Sequence, residues 1–141
     1  VLGTVLTVLG VVLLVVGLIV GGLVGRALWV TRASRRRLRD LGGHREVALL
    51  LGHAAAGRDQ RPAVGSLVRT DEAVVFVPLS PRTGAEVHVN RAEITTTSTA
   101  QSFMGRTFAE PALLLTWDRL GLGDAVALKV SDPEEWIAAL A

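Results

Sequence analysis

Three histidines, His44, His53 and His88, are the side chains here best suited to acid–base or metal chemistry, and the chain has no cysteine. Without a thiol, disulfides, thiolate metal sites and cysteine nucleophiles are excluded, and the composition suits a reducing compartment. The histidines fall in no metal-ligand spacing such as H-x-x-x-H. His44 and His53 lie in loop-like sequence and His88 on the outward side of an alternating run, so each is expected to be a surface histidine. Gly121 and Gly123 lack the other glycines and the strand–helix context of a dinucleotide fingerprint, and predict a turn. Ser66 and Ser102 sit in no G-x-S-x-G elbow. The residues therefore predict no catalytic group, no metal and no cofactor; the protein is expected not to be an enzyme.

Other residues are suited to recognition rather than reaction. Ser102 to Pro111 reads as a loop between two strands, and it holds two of the chain's three phenylalanines and its only methionine. Exposed, Phe103, Met104 and Phe108 would form an apolar patch beside Arg106, fit for a partner or a membrane surface. Tucked under the sheet, they would complete a core that has few other aromatics, and that need favours the second arrangement. A second group is basic: residues 26–45 carry seven arginines against one aspartate, a local +6. Arg26, Arg32, Arg35, Arg36, Arg37 and Arg39 act first as a topology signal. They also suit anionic lipid headgroups, each worth roughly 1 kcal/mol near the surface. Residues 46–141 carry eight basic and twelve acidic groups, a local −4, which argues against a nucleic-acid partner.

The element that positions the arginines precedes them. From Val1 to Gly25 no side chain is charged, and the only polar ones are Thr4 and Thr7. A helix of about 20 apolar residues spans a bilayer core, so this run is long enough. A secretory signal has a shorter apolar region, basic residues before it and a small-residue cleavage site after it; here arginines follow instead. An uncleaved signal anchor over residues 1–30 is expected, with a basic juxtamembrane segment over 31–45. The positive-inside rule then predicts a single pass through the inner (plasma) membrane, N-terminus outside and C-terminal domain cytoplasmic. Trp29 suits the headgroup level. Within the span Gly3, Gly10, Gly17, Gly21 and Gly25 are spaced by seven, seven, four and four. With Thr7 they lie within about 40° of one line down the helix. Two successive G-x-x-x-G steps on that line predict a helix-packing face for another membrane protein or a second copy of the chain.

From residue 46 onward the periodicity shortens. Glu46 to Gly52 is ambiguous between a strand and a short helix, and His53 to Pro62 is loop-like. Strands are expected at 64–69, 73–79, 85–90, 94–99, 112–117 and 125–130, with turns at Ser80–Gly84 and Asp118–Gly123. The run 85–90 predicts Ala85, Val87 and Val89 inward and Glu86, His88 and Asn90 outward. Asp132 as N-cap, Pro133 at the first helical position and Glu135 three after the cap predict a final helix, with Trp136, Ile137 and Leu140 as its apolar stripe.

Several short strands and one closing helix form the layout of the pleckstrin-homology-like (PH-like) superfold. The chain resembles its bacterial PH-like or GRAM-like members through Gly65 to Phe76 with its Thr70-Asp71 corner, Val87-His88-Val89, Glu93-Ile94, Leu113 to Trp117 and Asp132 to Trp136. With the anchor in front it is similar to the small single-pass membrane proteins of high-GC, actinobacterial-type bacteria. Fourteen arginines to one lysine agree with a high-GC codon bias. The resemblance implies a PH-like split barrel of six or seven antiparallel strands over residues 46–141, capped by a C-terminal helix. Its phosphoinositide-binding members carry a basic pattern in the first strand–loop–strand. Here that region has only Arg58, Arg61 and Arg69, offset by Asp59, Asp71 and Glu72, so inositol-phosphate binding does not carry over. The expected function is a membrane-anchored interaction or scaffold module, an accessory subunit packing through its glycine face. The alternatives are an anionic-lipid surface sensor using the arginines and the 103–108 loop, or an accessory component of a transport or export complex.

Overall fold

The computed structural model describes residues 1–141, except the side chain of Val30. The chain forms two compact units, Val1–Ala33 and Ser34–Ala141. Helix α1, Leu2–Leu41, supplies all of the first and begins the second. No proline interrupts it, and its most apolar stretch has a mean hydropathy of 2.8 with no residue buried. Among the described residues this is the one helix long and apolar enough to cross a membrane. At 1.5 Å per residue it is about 60 Å long, roughly twice a bilayer's hydrocarbon core. It stops at Gly42 and Gly43, both in the left-handed region at φ 62° and 76°, where glycine ends a helix without strain.

The second unit is built on strands β1 His44–His53, β2 Ala63–Arg69, β3 Ala73–Pro78, β4 Val87–Asn90, β5 Ile94–Phe103, β6 Arg106–Arg119 and β7 Leu122–Lys129, followed by helix α2, Pro133–Leu140. They form one seven-stranded sheet in the order β4-β3-β2-β1-β7-β6-β5, with every pair antiparallel. A long N-terminal helix, a mainly-β domain and a closing C-terminal helix are thus the observed layout. The sheet is not closed into a barrel, since β4 and β5 are its two edges. The ambiguous run at 46–52 is strand. Its first part pairs with β2 and its last part with β7, and the register slips between Leu50 and Gly52. Such a bulge bends a strand, which lets β1 serve both halves of the sheet. Pairing in β4 starts at Val87, not Ala85, and Ala85 is exposed in the β3–β4 connection. Within β4 the alternation holds, Val87 and Val89 buried and His88 and Asn90 exposed.

The concave face buries Leu50, Leu67, Phe76, Leu113, Leu115 and Leu128 around Trp136. Asp132 caps α2 by accepting from the Glu135 amide at 3.2 Å, with Pro133 next. This anchors a two-turn helix too short to persist alone. The Trp136 ring is 1% exposed. Its indole N–H donates to Glu46, whose other carboxylate oxygen accepts from Ser131 Oγ at 2.6 Å. The convex face of β3, Ala73, Val75 and Val77, is covered by Leu38 and Leu41 from the last turns of α1. Ser34 Oγ lies 3.3 Å from the Pro78 carbonyl, and Arg37 grips the Glu86 carboxylate with Nε at 3.1 Å and Nη2 at 2.8 Å. The sequence predicts a basic stalk over this stretch. Its apolar positions, three apart, instead make its last turns part of the domain's packing.

Candidate functional site

The glycine face of α1 offers access rather than contact. A side-chain carbon built at Gly3, Gly10, Gly17, Gly21 or Gly25 would meet no other atom within 4 Å. Thr7, on the same line, donates its hydroxyl to the Gly3 carbonyl at 2.8 Å, so no unsatisfied donor faces an apolar surrounding. Arg26, Arg32, Arg35, Arg36 and Arg39 are exposed, whereas Arg37 is committed to Glu86. That ion pair raises the Arg37 pKa from its ordinary value, chiefly through the hydrogen bond.

Residues 102–111 are mostly strand. Met104 and Gly105, at φ 52° and 79°, form a two-residue turn between β5 and β6 of the type I′ kind. Phe103 and Met104 are half-buried, and the Phe103 ring lies where a side chain at Gly52 would be, 3.0 Å from that position. Arg106 Nη2 donates to the Arg58 carbonyl at 3.2 Å, tying the hairpin tip to the β1–β2 connection. Phe108, Ala109, Glu110 and Pro111 bulge out between the paired positions Thr107 and Ala112, and Phe108 is half-buried. Phe103 and Met104 therefore seal a gap above Gly52 rather than projecting as a patch.

The histidines sit in three different settings. His88 is exposed on β4. His44, the first residue of β1, has its ring 5.9 Å from that of Trp136. His53 is the last residue of β1 rather than part of a loop. Its Nε2 lies 2.7 Å from Asp124 Oδ2, both side chains being 20% exposed, and its ring is 5.8 Å from that of Trp117. Asp124 Oδ1 accepts from the amides of Ala55 at 3.1 Å and Ala125 at 2.8 Å. Through His53 and the Ala55 amide, Asp124 ties the end of β1 and the turn after it to β7. A cleft of ≈ 520 Å³ runs beside it, between Ala54–Ala55 and the β6–β7 hairpin tip. Among the described residues no three acidic or histidine side chains gather in a metal-binding group. The His53–Asp124 pair spans 71 positions of sequence, a separation at which no local spacing rule operates.

Neither a known protein family, nor a curated protein, nor a solved structure matches the chain.

Proposed function

We propose that this protein is a single-pass, membrane-anchored interaction module of the PH-like type, without enzymatic activity. It acts as an accessory or scaffold subunit and packs against another membrane helix, its own copy or that of a second membrane protein, through Gly3, Thr7, Gly10, Gly17, Gly21 and Gly25. The observation that carries this reading is the unfilled line of small residues along an apolar helix none of whose spanning surface is buried. In lipid, helices associate by close backbone approach and not by hydrophobic burial, so such a line is where van der Waals contact is gained. The exposed arginines after the apolar run support an orientation with the N-terminus outside and the β domain on the cytoplasmic side.

The test is a comparison of the full chain with a Gly17→Leu/Gly21→Leu variant after mild detergent extraction. The variant is expected to lose co-purifying membrane proteins, or to shift to a smaller oligomer, while its β domain keeps its circular dichroism. Identical partners and identical size for both proteins would sink the helix-packing reading.

A further inference from the structure

Away from the anchor, two cations line a cavity and neither is paired with a carboxylate. Arg69, at the end of β2, and Arg91, in the 3₁₀ turn Arg91–Glu93 between β4 and β5, border a space of ≈ 430 Å³ with Gly43, His44, Thr70 and Asp71. Neither guanidinium forms an ion pair among the described residues. Both are nevertheless held in place. Arg69 stacks over the Trp136 ring, its Cζ 5.2 Å from the centroid, and His44 stands opposite it on β1. Arg91 donates Nη1 to the Thr70 carbonyl at 3.4 Å and Nη2 to the Ala139 carbonyl at 3.0 Å, which leaves other N–H groups unspent. Arg69 Nη1 is sealed from solvent, so the guanidinium meets the cavity through its other N–H groups. Two fixed guanidiniums beside one cavity leave positive charge there that an oxyanion can offset. Gly43 keeps the wall thin: any side chain there would strike the Arg69 backbone carbonyl.

We propose that this cavity binds a phosphate-type dianion, either inorganic phosphate or a phosphomonoester group, between Arg69 and Arg91. Planar guanidiniums recognise phosphate oxygens two at a time, and two fixed positive charges outweigh the single carboxylate of Asp71. The cavity lies at the start of β1 and the end of β2, the opposite end of that hairpin from its connecting loop. The site is independent of the glycine face, so either can fail without the other.

The test is calorimetric titration of the full chain in neutral detergent micelles with inorganic phosphate, against chloride at equal ionic strength. A single saturable site is expected. Arg69→Gln should weaken it by about tenfold or more. Asp71→Asn, an exposed turn substitution that leaves the core untouched, should tighten it by about threefold. The same titration in phosphatidylcholine nanodiscs with and without phosphatidic acid separates the sources. Unchanged affinity supports a soluble ligand, and loss of phosphate binding in the acidic discs supports a headgroup in the same cavity. No saturable phosphate binding, or an affinity that Asp71→Asn leaves unmoved, would overturn the proposal.

Discussion

At the scale of single residues, the polar side chains of the β domain act mainly as ties between strands far apart in sequence. Glu46 joins α2 to β1 through Trp136 and Ser131, and Asp124 joins the end of β1 and the turn after it to β7 through His53 and the Ala55 amide. Glu93 joins the 3₁₀ turn before β5 to the end of β6 through Arg119, with Nε and Nη2 contacts of 3.2 and 3.1 Å. The hydrogen bond from Arg119 holds the Glu93 carboxyl below its ordinary value. The sign follows: the folded state favours the charged form, so the contribution is present above the ordinary carboxylate range and is lost as pH falls through the lowered value. Urea midpoints measured against pH are therefore expected to fall less steeply in acid for Glu93→Gln than for the wild type. The two curves should converge once pH has fallen through that lowered value. Because the pair is exposed, the difference at neutral pH should be small. None of these long-range ties was legible in the sequence, where the partners stand tens of residues apart.

At the scale of elements, two hairpin turns use residues poorly suited to them. Met104 and Leu120 occupy left-handed conformations, each followed by glycine, where asparagine or aspartate is the favoured choice. Met104 recovers part of that cost by packing beside Phe103 over Gly52. Leu120 recovers none: it is 99% exposed, with Leu122 at 77% beside it. Leu120→Asn is expected to stabilise the fold by about 0.5–1 kcal/mol, read as a higher urea midpoint with an unchanged slope. A decrease would mean that the leucine side chain makes a contact worth more than its backbone strain. Sequence reading placed this turn correctly from its glycines and its flanking alternation. Residues 102–111 read as a loop in the sequence because Met-Gly is not a favoured hairpin pair and because the bulge at Phe108–Pro111 breaks the alternation that marks a strand.

At the scale of the whole molecule, the useful boundary falls inside α1. The last turns of that helix contribute Leu38 and Leu41 to the cover of β3, and Arg37 to Glu86. A fragment beginning at Ser34 therefore keeps every contact of the second unit, whereas one beginning at Gly43 uncovers Ala73, Val75 and Val77. The shorter fragment is expected to be less stable by about 2–3 kcal/mol, given two half-buried leucines. For a domain of this size that lowers Tm on the order of 10 °C. Equal melting temperatures for the two fragments would show that the helix end contributes nothing to the fold.

The sequence by itself determined what depends on neighbours along the chain. The long apolar run marked α1, short apolar or β-branched runs bounded by turn residues marked most of the strands, with clear alternation at 85–90, and Asp132, Pro133 and Glu135 marked the start of α2. These signals are local because helix periodicity, pleat and capping act within a few residues. Tertiary structure decided the rest. It set the order of the sheet with β4 and β5 left as edges, docked the end of α1 on β3, paired His53 with Asp124, and gathered Arg69, Arg91 and His44 around one cavity. Those outcomes depend on which strands meet. Strand pairing is chosen by the burial of whole faces, a property of the assembled sheet that no short stretch of sequence carries.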